Sequence, residues 1–229
     1  MKTAGIIGGM GPQATIDFLN KVVSLTKAGK DQEHIKLIIY MNPTIPDRSR
    51  ALLENGENPE SALITSARLL EKAGADFLAV PCVTAHYWIA KIRNSIKIPV
   101  LDIIEITLKK IKESSAVKKV GILATTGTLR THLFEKRFEP EGYRIIVPDA
   151  KTQEQTVMRI IYAIKKGEQP GIFKAKLLQV CETLISCGVE VIIAACTEIP
   201  LIMDLNDLPI PFVDVNHLLA KAVVEAAEQ

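Results

Sequence analysis

No stretch of this 229-residue chain approaches the ~18 consecutive apolar residues of a membrane-spanning helix, so no membrane partner is expected. Charge of one sign is equally scarce: 28 basic residues face 26 acidic ones, a net +2, and no basic cluster exceeds a few residues. That removes the footprint of a nucleic-acid or anionic-membrane binder. Cysteine is sparse, with four in all and no C-x-x-C pair. Neither a disulfide framework nor the closely spaced ligand pairs of structural zinc are expected from such a pattern. The first apolar run is interrupted by Gly8, Gly9, Gly11 and Pro12 and does not read as a secretory leader, so a cytoplasmic protein with reduced thiols is expected. Linkers rich in Gly, Ser or Pro are absent as well, which predicts closely packed rather than tethered units. What remains, 48% hydrophobic and 24% charged, is a globular composition.

The most informative feature present is an internal repeat of domain size. Gly74 pairs with Gly188 and Cys82 with Cys196 at the same separation, and Gly5 with Gly121 and Asp102 with Asp214 within two residues of it. Short apolar runs at 3–7, 36–41, 77–81 and 98–101 read as strands, and 120–124, 144–147, 189–195 and 211–213 repeat them. Between them, 13–26, 60–72, 84–94, 129–138, 153–166, 173–186 and 217–227 carry apolar residues at helical spacing. Alternating strands and helices predict an α/β protein of two pseudo-symmetric lobes, each a mostly parallel sheet flanked by helices. The first lobe is expected at 1–102 with 215–229, the second at 103–214.

In such sheets ligands bind beyond the carboxyl ends of the strands, where Gly8, Asn42, Cys82, Thr125 and Cys196 all fall. Two thiols in equivalent positions, each followed by a hydroxyl residue opening a helix, suit acid/base work from two sides of one cleft. A helix N-terminus lowers a thiol pKa from ~8.5, and the same amides can hold a carboxylate. Gly9-Met-Gly11-Pro-Gln-Ala14 formally matches a dinucleotide fingerprint, but the second strand ends in Met41-Asn42-Pro43 without the acidic residue that holds a ribose. Cys82-Val-Thr-Ala-His86 offers a metal only two ligands, so neither metal nor cofactor is expected. Cys181 and Cys187 have no counterpart in the first lobe and read as structural. Arg48, in a loop stiffened by Pro43 and Pro46, is either a surface charge or a bidentate carboxylate ligand.

Taken together, Gly8-Gly-Met-Gly-Pro12, Asn42-Pro-Thr-Ile-Pro-Asp-Arg48, Pro81-Cys-Val-Thr-Ala-His86, Leu123-Ala-Thr-Thr-Gly-Thr128 and Ala195-Cys-Thr-Glu-Ile-Pro200 resemble the aspartate/glutamate racemase family over essentially the whole chain. The resemblance implies a cofactor-independent, commonly dimeric racemase of a small acidic amino acid, with Cys82 and Cys196 as the acid/base pair. It further implies that Thr84, Thr125, Thr128 and Thr197 hold the α-groups, with Met10, Val83 and Glu198 near the ligand. Arg48 and a lysine after Tyr162 would hold the distal carboxylate; helical phase points to Lys166 and the spacing to Gly167 points to Lys165. Where the family usually has Asn after the first cysteine, this chain has Val83, and where Gly is usual before the second, it has Ala195. The expected reaction is interconversion of L- and D-aspartate, with glutamate an alternative substrate. Competing readings are a catalytically silent amino-acid-binding protein, opened by Val83, and an isomerase or decarboxylase acting on another carboxylic acid.

Overall fold

Runs of Ile, Val, Leu and Ala with little alternation make strands that must be covered on both faces, and parallel strands with helical crossovers supply that cover. The computed structural model describes residues 1–114, 116–204 and 206–229. Its first half comprises β1 (Thr3–Gly8), α1 (Pro12–Leu25), β2 (Lys36–Met41), α2 (Arg48–Leu53), α3 (Glu60–Lys72), β3 (Phe77–Ala79), a 3₁₀ turn at Thr84–Trp88, α4 (Ile89–Arg93) and α5 (Ile103–Lys112). The second half repeats the plan with β4 (Lys119–Leu123), α6 (Thr126–Arg130), α7 (Glu135–Phe138), β5 (Arg144–Ile146) and α8 (Ala150–Thr152). There follow a π-helical turn at Gln153–Met158, α9 (Arg159–Lys165), α10 (Lys174–Ser186), β6 (Val191–Ala194), β7 (Phe212–Asp214) and α11 (Val215–Glu228). All strand pairings are parallel, in the orders β2-β1-β3 and β5-β4-β6-β7.

The two sheets match except at one edge. Where β7 lies beside β6, the predicted strand at 98–101 is reduced to a single bridge between Leu78 and Val100. Leu78 N–H donates to Pro99 O and Leu101 N–H to Leu78 O, and Pro99 itself has no amide to extend the ladder. The helix expected at 129–138 is also broken, because His132 takes a left-handed conformation (φ 53°) between α6 and α7. The helix expected at 84–94 opens as a 3₁₀ turn, and α2 occupies a segment whose prolines suggest a loop.

Helix exchange and a shared core join the lobes. α11 packs on α1 and α5, while α5 also meets α7. Asp102 and Asp214 cap α5 and α11 by accepting amide protons from their first turns. Asp102, 1% exposed at its side chain, is approached by Arg93 (3.6 Å) of the first lobe and Arg137 (3.3 Å) of the second. One hydrophobic cluster runs through both halves, including Ile6, Phe18 and Val83 with Val120, Phe134 and Leu219. Among the described residues no helix is long and apolar enough to cross a membrane.

Candidate active site

Near the strand ends two backbone positions approach a neighbour too closely for any residue but glycine. Gly9 follows β1 with φ +95°, and a Cβ there would lie 2.4 Å from the backbone carbon of Asn42. That turn directs the buried Met10 into the space between the lobes. In the other lobe a Cβ on Gly127 would lie 2.7 Å from Ser49 Oγ, so α6 and α2 touch across the cleft. Arg48, the first residue of α2, is thereby set against the turn that carries Thr125.

The cavity so formed is lined from the first lobe by Met10, Arg48, Cys82, Val83 and Thr84, and from the second by Thr125, Lys165, Cys196, Thr197 and Glu198. Each thiol belongs to a residue only 5% exposed, and the free space between the walls is ≈ 10 Å³, room for about one water molecule. Three hydroxyls form a triangle across the lobe boundary: Thr84 Oγ1 lies 2.9 Å from both Thr125 Oγ1 and Thr128 Oγ1, which are 3.1 Å apart. Thr125 also caps α6 by accepting from Thr128 N–H, so the triangle has fixed backbone support.

Arg48 is 7% exposed and lies inside the site rather than on the surface. Its Nη1 donates to Ile45 O at 3.0 Å and Pro46 O at 2.9 Å, while Nε is buried without a hydrogen-bond partner among the described residues. The guanidinium is thus held by one end, with its Nε edge unspent. Beside it Asp47 caps α2 through Arg50 N–H and accepts from Tyr162 OH at 3.3 Å. Burial would raise the Asp47 carboxyl, but the Arg50 amide and the charges of Lys165 and Arg48 hold it below its ordinary value.

Of the two candidate lysines, Lys165 faces the cavity and Lys166 stands exposed at the end of α9. Lys165 Nζ lies 3.5 Å from Glu198 Oε1. Burial disfavours its charge, yet Glu198 first and then Cys196 outweigh that and raise its pKa.

The thiols differ. Cys196 Sγ donates to Glu198 Oε2 at 2.9 Å, and Thr197 Oγ1 approaches the same oxygen at 3.4 Å. Burial and then the Glu198 charge push this thiol well above its ordinary value, against a smaller opposing pull from Lys165. The lowering expected from a helix N-terminus does not prevail, because only a short 3₁₀ turn (Ile199–Leu201) follows and its dipole is slight. Cys82 is held through its backbone instead. His86 Nδ1–H donates to Cys82 O at 2.9 Å while Nε2 accepts from Ile103 N–H at 3.2 Å, which ties the thiol's turn to the start of α5. Burial keeps His86 neutral by lowering its pKa. Cys181 is buried against Met203, and Cys187 is exposed at the end of α10. Among the described residues no three His, Cys, Asp or Glu side chains converge as a metal would need.

Several lining residues lie outside the predicted site: Asp47, Ser49, Ile161 and Tyr162. Tyr162 precedes Lys165 by three residues and so shares its helix face, the one signal that could have flagged it.

Solved structures place this architecture among amino-acid racemases. An aspartate racemase of Picrophilus torridus superposes with a TM-score of 0.86 at 32% identity, covering 100% of this chain and 95% of that one. An aspartate racemase homologue from Pyrococcus horikoshii OT3 gives 0.80 at 26% identity, with 100% of both chains covered. A glutamate racemase of Bacillus anthracis shares the fold at a TM-score of 0.70 and 14% identity, over 99% of this chain and 81% of that one. By sequence, residues 7–223 match the Asp/Glu/Hydantoin racemase family, and the chain belongs to it. The broad specificity amino-acid racemase RacX of Bacillus subtilis (strain 168) is 33% identical over 224 residues, 96% of each chain.

Proposed function

We propose that this protein interconverts L- and D-aspartate without a cofactor, with Cys82 and Cys196 as the two acid/base groups. The observation that carries this reading is that equivalent turns of the two lobes each bring one thiol to a single cavity. A single base cannot reach both faces of an immobilised carbon, whereas two bases on opposite walls can. One thiolate removes the Cα proton, nearby donors stabilise the carbanionic intermediate, and the opposite thiol returns a proton to the other face. The family resemblance further implies that Cys196 is the base and Cys82 the acid in the L-to-D direction, with the roles reversed for the D-isomer. The preference for an acidic side chain is supported by Arg48, whose buried Nε edge suits a distal carboxylate. Lys165 adds a second positive charge there. Because the free space holds about one water, the walls part when an amino acid enters, and its carboxylates take over contacts now made between the hydroxyls and between Lys165 and Glu198.

In heavy water, aspartate of either configuration is expected to gain deuterium at Cα as the other isomer appears. Aspartate that raises the melting temperature yet keeps its Cα proton would mean a silent binder, and release of carbon dioxide a decarboxylase. A second reading, racemisation of a wider set of amino acids, is favoured by the apolar wall of Met10, Val83 and Ile161 in the same cavity. A panel of neutral amino acids in the same experiment separates the two.

Val83 is the point where kinetics should respond to one substitution. Its side chain lines the cavity but is only 2% exposed and belongs to the core cluster. Val83→Asn supplies an amide for the substrate's charged α-groups, an interaction worth ~1.5–3 kcal/mol. We expect kcat/KM for aspartate to rise by about one to two powers of ten and stability to fall by ~1–3 kcal/mol, since the free enzyme then buries an amide. Steady-state kinetics and a melting curve check both; a clear drop in kcat/KM would mark valine as an adaptation to a different substrate.

A further inference from the structure

Away from the active site, α9 with the π turn before it and α10 border a second cavity of ≈ 510 Å³, a size within the range of small-molecule sites. Its floor is apolar: Ile160 and Val180 belong to the core of the second lobe, and Phe173 packs against that core. Its rim is polar and charged with one sign. Arg159 stands on α9 and Lys176 on α10, hydroxyl and carboxamide side chains complete the lining, and no carboxylate is among them. Both cations are exposed and, among the described residues, unpaired. Lys174, by contrast, is spent on Asp207 at 2.7 Å and Asp204 at 3.6 Å. Glu154, the carboxylate nearest to Arg159 in sequence, does not line the groove and accepts instead from Thr126 Oγ1 at 2.6 Å.

We infer that this groove binds a small organic anion, a carboxylate or phosphate carried on an apolar body, and that its occupant regulates the active site through the π turn at Gln153–Met158. Arg159 offers a planar fork that matches either oxyanion, Lys176 adds a point charge, and the floor takes the apolar part out of water. A bare inorganic ion would leave that floor uncovered. The π turn, of a kind that recurs at functional sites, has two faces. Gln155 and Thr156 line the groove, while Gln153, Glu154 and Met158 hold the loop between β4 and α6. Gln153 Nε2 donates to Ala124 O at 3.0 Å, and Met158 Sδ accepts from Thr126 N–H at 3.2 Å. Between those two contacts stands Thr125, whose hydroxyl belongs to the triangle in the active site. Gln153 Oε1 is buried without a hydrogen-bond partner among the described residues, so the turn keeps a polar atom unspent in this register. An anion that joins Arg159 to Lys176 ties the π turn to α10. That braces the Thr125 turn in its closed arrangement, whereas substrate entry requires the hydroxyls to part. The occupant therefore weakens aspartate binding, and by linkage aspartate weakens the occupant's binding by the same factor. The coupling rests on the proposed aspartate site; binding in the groove does not.

The probe for the groove is 8-anilinonaphthalene-1-sulfonate, an anion on aromatic rings whose fluorescence rises on apolar surfaces. The unaltered protein is expected to bind it at one saturable site. Arg159→Gln combined with Lys176→Gln is expected to weaken that binding about tenfold or more and to leave racemisation without the probe unchanged. Should the double variant not fold, Gln179→Glu, which adds a like charge at an exposed position of the groove, is expected to give the same loss. Undiminished binding by these variants places the probe elsewhere and overturns the site. Displacement then identifies the ligand. Benzoate and adenosine monophosphate are expected to displace the probe, adenosine and inorganic phosphate far less, and the stronger of the first two assigns carboxylate or phosphate. Adenosine as effective as its monophosphate rejects an anion site, inorganic phosphate as effective rejects the apolar floor, and failure of both organic anions rejects the groove. For regulation, the displacing anion at saturation is expected to raise KM for aspartate about fivefold or more in the unaltered protein and not in the double variant. An unchanged or lowered KM rejects the bracing of the Thr125 turn. If aspartate binds without turning over, calorimetry with and without the anion measures the same coupling. A protein that does not bind aspartate at all loses the proposed function and the coupling together, while the fluorescence assay still decides the groove.

Discussion

Cys82→Ser and Cys196→Ser are each expected to abolish interconversion of aspartate isomers, with kcat/KM falling by at least about 10²–10⁴-fold. A hydroxyl is a far weaker acid than a thiol and cannot be made anionic in a site whose cysteines are only 5% exposed. The loss must be equal in both directions, because two enantiomers in water have equal free energy and the ratio of their kcat/KM values is fixed at one. Direction shows instead in proton exchange at Cα. The variant that keeps Cys196 should still wash deuterium into L-aspartate at a residual rate, and the one that keeps Cys82 should do so with D-aspartate. Exchange measured on pure isomers by mass spectrometry checks this assignment. Normal interconversion by both serine variants would end it, and washing of the wrong isomer would exchange the roles of the two thiols.

Much of this arrangement can be read before any coordinates, and the reason is periodicity. Strands such as β1 and β4 are apolar throughout most of their length and bounded by turns, and the match of Cys82 to Cys196 puts both thiols at equivalent strand ends. Short elements escape the same logic. Arg48–Leu53 spans six residues, less than a helical window needs, and follows two prolines that suggest a loop; only the cap at Asp47 betrays it. Lys165 and Lys166 both lie within about one helical turn of Tyr162, so phase counted from that tyrosine does not separate them; the spacing to Gly167 points to Lys165, the one that faces the cavity. Cys196 and Glu198 lie only two residues apart in sequence, yet their pairing depends on the turn that folds one side chain back on the other. Burial was legible in kind but not in consequence: a thiol at a strand end reads as activated, and here burial first, and then the Glu198 charge, reverses that for Cys196.

Arg48→Leu is expected to cost aspartate far more than it costs alanine. The interaction removed is charge-assisted and bidentate, worth ~1.5–3 kcal/mol or more, so kcat/KM for aspartate should fall by at least about one to two powers of ten. Alanine has no distal carboxylate and never engages the guanidinium. Leucine also leaves Ile45 O and Pro46 O without the Nη1 donor they share, which loosens the turn before α2 and lowers kcat/KM for every substrate. Comparing two substrates on one variant cancels that common penalty, and the ratio isolates the carboxylate interaction. Arg48→Lys sharpens the result: it keeps the charge near Lys165 but not the planar fork, so aspartate should recover only in part. Kinetics on L-aspartate and L-alanine for the three forms measure this directly. If both substrates lose equally in Arg48→Leu, the guanidinium supports the turn alone, and the selectivity for an acidic side chain must reside in Lys165.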